Sequence, residues 1–149
     1  MQFIDRLADD LERHEGKRLT VYRDTLGHET VGIGHLVRDE DALHEGDTIS
    51  EDRCQRLFMS DIVRALVDCD ALYGYRYWSY PEELMLILAN LMFNLGYSKM
   101  CRFVLFRRAV RETDYIEMAR ELENSLWFKQ VGNRSREMVA RLRAMGGIA

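Results

Sequence analysis

Two carboxylates, Glu15 and Asp24, and a hydroxyl, Thr30, stand out within the stretch EGKRLTVYRDTLGHETVGIGH, residues 15–35. Glu15 and Gly16 close a charged helix. Leu19, Val21 and Tyr22 mark a strand with Asp24 at its far end. Thr25–His28 carry the turn residue Gly27, and Thr30, Val31 and Ile33 form a return strand punctuated by Gly32 and Gly34. Strand-period alternation bounded by glycine is a hairpin signal. A helix end followed by a tight hairpin can hold two acids on opposite walls of a cleft. Cleavage of a glycosidic bond needs two acids held apart in that way, one to protonate the leaving oxygen and one to act on the opposite face of the sugar.

Several elements must position these groups. Phe3, Ile4, Leu7 and Leu11 recur at helical spacing ahead of Glu15, so one stripe of the first helix packs inward. After the hairpin, Leu36 and Val37 can start a third strand, and RDEDALHEGD, residues 38–47, is a polar surface connection with room for one helical turn. Ser50 is an N-cap, with Glu51 and Asp52 favourable in the first turn. The helix it starts runs to about Leu72 and buries Cys54, Leu57, Phe58, Ile62, Ala65, Leu66 and Cys69. Asp61 interrupts that face, and a buried carboxylate requires a partner.

Tyr73–Tyr80 is an aromatic connection that packs against its neighbours. Pro81 fits the start of a helix, and LMLILANLMFNL, residues 84–95, is apolar almost all round, which belongs at the centre of a helical bundle. Asn90 and Asn94 interrupt it one turn apart, and buried amides must be hydrogen-bonded. Gly96 ends the run. Helices over 99–111 and 115–124 follow, the second opened by the Asp114 and Glu117 capping pair. Asn133 can cap a final helix whose apolar positions are Met138, Val139 and Leu142, stopped at Gly146 and Gly147.

The full pattern across the hairpin is E-G, then L-x-x-Y-x-D-x-x-G-x-x-T-x-G-x-G-H. Near the C-terminus the chain reads W-x-x-Q-x-x-N-R, with Trp127, Gln130, Asn133 and Arg134. These two blocks, in this order with compact helices between them, resemble the phage-type lysozymes of the T-even kind. The resemblance implies an α+β, mainly helical fold, a single domain of 149 residues in two lobes. A hairpin lobe covers about 14–60, and a helical lobe covers 1–13 with about 72–149. It implies catalysis by Glu15 as general acid, with Asp24 and Thr30 on the water side. It further implies a sugar-binding floor of Phe93 and Asn94, with Asn94 where the family more usually has Gln, and an Arg134 folded back toward Glu15. His35, Asp61, Asn90, Trp127, Gln130 and Asn133 are the implied structural support, His35 pairing with Asp61. Gly132 stands where the family usually has proline.

The implied reaction is hydrolysis, with inversion, of the β-1,4 bond between N-acetylmuramic acid and N-acetylglucosamine in peptidoglycan. The rivals are a lytic transglycosylase, which uses a Glu acid but no bound water, and a non-catalytic lysozyme-like module that grips the cell wall. Glycan strands are the expected partner, the expected state is a monomer, and no cofactor or metal is called for. Cys54, Cys69 and Cys101 have no metal-ligand spacing and read as free thiols of a reducing compartment. A net charge of −4 gives no footing for nucleic-acid binding, and the arginines at 102, 107, 108 and 111 read as a solvated face. MQFIDRLADDLERHEG lacks the apolar core of a signal peptide or membrane anchor. The expectation is synthesis in the host cytoplasm and release to the wall through a membrane-permeabilising partner, a holin.

Overall fold

A computed structural model describes residues 2–147 of the chain. Helix α1, Phe3–Glu15, buries Leu7 and Leu11, one helical turn apart, and stops at Gly16, whose φ of 70° ends the helical path. Strands β1 (Arg18–Arg23), β2 (Glu29–Gly32) and β3 (His35–Leu36) form an antiparallel sheet in that order. Tyr22 pairs with Thr30, Thr30 with Leu36, and Val31 with His35. The outer edge of β1 is covered by the end of the acidic connection: the Val21 N–H donates to the Asp47 carbonyl at 2.8 Å, and the Ile49 N–H to the Leu19 carbonyl at 2.8 Å. The connection is therefore not free surface throughout, because an exposed strand edge leaves backbone groups unpaired.

Helix α2, Glu51–Tyr73, begins where the Ser50 hydroxyl accepts the Arg53 N–H at 3.0 Å. Its 23 residues span roughly 34 Å. The N-terminal part packs on β2 and β3, and the body packs on α3, Glu82–Leu95. Pro81 occupies the cap position just before α3. Every residue from Leu86 to Met92 is buried, so the all-round apolar run does form the middle of the bundle. Tyr77 is fully buried in the aromatic turn that precedes it, its hydroxyl donating to the Met85 carbonyl at 2.7 Å.

The single helix expected over 99–111 is instead two, α4 (Tyr97–Arg102) and α5 (Val104–Arg111), broken at Phe103 with ψ of 67°. No glycine or proline marks this break. Met100 and Phe106, six residues apart, would sit about 120° apart on a straight helix. The break lets both bury completely or nearly so, and the Arg107 guanidinium donates to the freed Cys101 carbonyl at 3.1 Å. Helix α6, Tyr115–Glu123, is capped by the Asp114 carboxylate, which accepts the Glu117 N–H at 3.0 Å. A further short helix, α7 (Leu126–Val131), opens at Ser125 and buries Trp127.

Helix α8, Asn133–Met145, packs on α6 and α7. Asn133 does not cap it. The chain turns at Gly132, the helix starts one residue earlier than a side-chain cap at 133 would allow, and Asn133 lies exposed against the Arg136 side chain. Cys54 and Cys69 are buried, Cys101 half-buried, and all three are free thiols. Among the described residues no helix is long and apolar enough to cross a membrane.

Candidate active site

Glu15 is the last residue of α1, so its side chain leaves the helix just where the hairpin begins. It is 18% exposed, and its Oε1 accepts a hydrogen bond from Arg134 Nη1 at 2.6 Å. The β2–β3 turn presses against it. Gly34 has φ of +66°, and a Cβ there would fall 2.6 Å from Glu15 Oε2, so any side chain would displace the carboxylate. The local strand punctuation G-x-G thus brings bare backbone against the acid.

Arg134, on the first turn of α8, is itself buried. Its Nε–H donates to Asn90 Oδ1 at 2.9 Å, and Asn90 is fully buried in the middle of α3. The Asn90 amide then meets His14 Nδ1 at 3.2 Å, and His14 Nε2 lies 3.3 Å from Glu137. Asn90 therefore satisfies its burial through side chains on α1 and α8 rather than through its own helix. Gly132 has φ of +61°, which a proline ring locked near −65° cannot adopt. The departure from the usual proline therefore belongs to this chain's own turn, and Arg134 still reaches Glu15 across it.

Asp24 terminates β1 and is held by the turn beyond it. Its Oδ1 accepts the Leu26 N–H at 2.9 Å and the His28 N–H at 2.8 Å. Asparagine and aspartate commonly bond the backbone two residues on in this way. One carboxylate oxygen is thereby pinned while a third of the side chain stays open to solvent. Thr30 follows on β2, 6% exposed, with its hydroxyl donating to the His28 carbonyl at 3.0 Å and its oxygen lone pairs left to accept. Tyr22 pairs with Thr30 in the sheet. Burial raises its phenol pKa; the Arg18 guanidinium 3.8 Å from its ring centre opposes that, and the negative charges of both Glu15 and Asp24 push it further up. Both carboxylates thus act on one ring.

His35 is 4% exposed, with Nδ1 at 2.7 Å from Asp61 as expected and Nε2 at 2.7 Å from Asp41. Burial pulls its pKa down, but the bonds to Asp61 and Asp41 together outweigh it and leave it raised. Asp41 also accepts the Arg38 N–H at 2.8 Å, so it ties the acidic connection to the hairpin. It was visible in the sequence only as one of several acids in residues 38–47, with nothing to single it out.

On α3, Phe93 is half-buried and edge-on to Phe58 at 6.0 Å. Asn94 accepts the Trp127 indole N–H at 2.7 Å, so its Oδ1 is engaged and its amide nitrogen is the group left for a ligand. Trp127 is a support as expected. Gln130 is not: α7 turns Trp127, Phe128 and Val131 inward, and the exposed Gln130 side chain makes no hydrogen bond among the described residues. Ser135 does the joining instead. It is fully buried, and its hydroxyl faces the Phe128 carbonyl at 2.8 Å and the Gly132 carbonyl at 2.7 Å, holding α7 to the start of α8. A cavity of about 560 Å³ lies elsewhere, between Arg6, Asp10, Arg13, Glu83, Glu137 and Arg141. Its arginines and carboxylates already pair with one another.

Residues 12–144 match the family described as phage lysozyme. Among curated relatives, the chain is 28% identical to "Probable T4-type lysozyme 2" of Dictyostelium discoideum, covering 92% of this chain and 93% of that protein. It is 26% identical to the "Endolysin" of Salmonella phage P22, over 85% of this chain and 98% of that protein. It is also 26% identical to the "Pre-baseplate central spike protein Gp5" of Enterobacteria phage T4, where 87% of this chain corresponds to 26% of that protein.

Proposed function

The chain belongs to the phage lysozyme family, and from that premise we propose that it is a muramidase cleaving the β-1,4 bond between N-acetylmuramic acid and N-acetylglucosamine. At the coarser level it is a lysozyme-like peptidoglycan hydrolase. The observation that carries the finer reading is the placement of Glu15: half enclosed, bonded to a buried arginine, with bare glycine backbone against it.

In this reading Glu15 gives its proton to the glycosidic oxygen as the C1–O bond breaks. The Arg134 guanidinium, 2.6 Å away, stabilises the carboxylate that the transfer leaves behind. A water bound by Thr30 attacks C1 from the opposite face and passes a proton to Asp24, whose other oxygen is locked by the turn. Attack from that face inverts the anomeric centre. General acid–base help of this kind contributes about 10²- to 10⁴-fold in rate. Glycan strands bind along Phe93 and the Asn94 amide, and no cofactor takes part. The enzyme acts as a monomer made in the host cytoplasm, reaching the wall after a holin opens the membrane.

The pinned Asp24 and Thr30 favour hydrolysis over transglycosylation, because only hydrolysis needs a positioned water. The likeness to a central spike protein supports a second setting for the same chemistry, a lysozyme unit carried in a virion. The test is release of reducing ends from purified sacculi. Glu15→Gln lowers the rate by at least about 10²-fold with the fold intact, and Asp24→Ala is severely impaired. Wild-type release by Glu15→Gln removes Glu15 from the mechanism, and 1,6-anhydro products in place of reducing ends make the enzyme a transglycosylase. NMR of the first-formed product reports the anomer.

A further inference from the structure

Behind Glu15 runs a chain of hydrogen bonds whose directions are forced as far as His14 Nδ1. Arg134 Nε carries a hydrogen and can only donate, so the Asn90 atom facing it at 2.9 Å is the carbonyl oxygen. The other Asn90 atom is then the NH₂, a donor, so His14 Nδ1 at 3.2 Å must present a lone pair. A neutral imidazole has one proton, which leaves it on Nε2, 3.3 Å from the Glu137 carboxylate. Glu137 also accepts from Arg13, whose Nη1, a donor like the Nε2–H, lies 3.3 Å from the same ring nitrogen, so the Nε2 proton is directed to the carboxylate between them.

We propose that His14 is a positioning residue for the acid: its Nδ1 lone pair orients the Asn90 amide, which orients Arg134, which holds Glu15. The inference rests on the reading of Glu15 as the proton donor. Because the helix end places His14 beside Glu15 in sequence yet points its ring toward α3 and α8, the residue touches no reacting atom and acts only through Asn90.

One added proton breaks the chain. It would sit on Nδ1 and face the Asn90 NH₂, donor against donor. Turning the Asn90 amide over relieves His14 but sets the same NH₂ against Arg134 Nε–H. Arg134 already has one buried nitrogen, Nη2, without a partner among the described residues, so it tolerates a second loss poorly. The charged groups facing His14 are Arg13 on α1 and Arg134 and Glu137 on α8, and α3 contributes the neutral Asn90. The ring side chain is only 6% exposed, and that burial, aided by Arg134 and Arg13 and opposed by Glu137, lowers the imidazole pKa below its usual value. The protein is thus kept in the bonded arrangement at neutral pH and loses it on acidification.

Two variants and one spectrum test this. His14→Leu removes the acceptor, and kcat on solubilised glycan strands falls about tenfold at neutral pH, the equivalent of one broken buried hydrogen bond, with KM within a factor of about two. His14→Asn places a carbonyl oxygen where Nδ1 was and cannot titrate. It restores the neutral-pH kcat and removes the step in the pH–kcat profile that lies below about pH 6.5 in the wild type. Nitrogen NMR at neutral pH shows His14 bare at Nδ1 and protonated at Nε2, and the Arg134 Nε–H signal weakens as His14 titrates. A proton on Nδ1 at neutral pH, an Arg134 signal indifferent to that titration, wild-type kcat in His14→Leu, or an unchanged acid step in His14→Asn each overturns the proposal. The spectra decide it even in a protein that releases no reducing ends, so its failure is distinct from that of the muramidase reading.

Discussion

The hairpin and the bundle each bury one histidine, and they treat it in opposite ways. His35 is clamped between Asp61 and Asp41, and these carboxylates outweigh the cost of burial and raise its pKa. His14 is buried to a similar extent but is flanked by two guanidiniums and an amide donor, with a single carboxylate shared with Arg13. In the first the charged ring is favoured and ties three segments together; in the second the neutral ring is favoured, so that a lone pair survives. Burial alone therefore does not decide the state of an imidazole. The count and sign of what meets its two nitrogens does.

The signs of the pH dependence follow. His35, with its folded pKa raised, adds stability that is fully present below its unfolded pKa of about 6.5 and is lost as pH rises through the folded value. His14, with its folded pKa lowered, resists a proton that the unfolded chain accepts, so stability falls as pH drops below about 6.5 toward the folded value. The two effects meet near the ordinary histidine pKa, and stability should peak there. A second fall follows at lower pH, where Glu137, held at about 2 chiefly by its bond with Arg13, must be protonated on unfolding.

Breaking the clamp has the largest effect. Asp61→Asn removes one of two charges from a nearly buried cation and should cost about 3 kcal/mol by urea unfolding at about pH 5. The loss should shrink above the folded His35 pKa, and an equal loss at alkaline pH would mean that His35 is never charged. Asp41→Asn leaves Asp61 in place and should cost less, about 1–2 kcal/mol, with added exchange of the Arg38 amide, which bonds the same carboxylate. On the other side of the comparison, His14→Asn should flatten the stability profile between about pH 6.5 and 5 while leaving the alkaline limb untouched. Retention of the slope would assign it to another group. The smallest effect is expected from Glu137→Gln. The carboxylate is 31% exposed and its pairs with Arg13 and Arg141 are partly screened, so the change should be about 1 kcal/mol. Its clearer signature is a His14 titration displaced still lower in an NMR series, because the carboxylate that favours the charged ring is gone.

Much of this arrangement was legible in the residues themselves. Alternation and glycine punctuation marked the hairpin, the Ser50 and Asp114 caps marked two helix starts, and the unbroken apolar run marked α3. The single acid on an otherwise apolar face, Asp61, pointed to a buried partner and found His35. Other features left no such mark. The break at Phe103 comes from two large side chains that must both face inward, and no breaker residue announces it. Ser135 outranks Gln130 and Asn133 as the support of the last turn because the positive φ at Gly132 sets which side chains face in, and a motif spacing does not encode that. His14 stands at the end of a charged helix, and nothing in that position announces a ring shielded from solvent and kept neutral.

The division has a physical cause. Periodicity, caps and turn residues act within a few positions of one another, so the amino-acid order by itself determined where most helices and the hairpin lie and which acids stand at their ends. The partners of those acids are remote: Arg134 meets Glu15 across 119 positions, and Asn90 meets His14 across 76. Contacts of that kind exist only once α1, α3 and α8 pack. Only the tertiary structure decided which nitrogen of each histidine has a donor or an acceptor in front of it, and so which one carries charge.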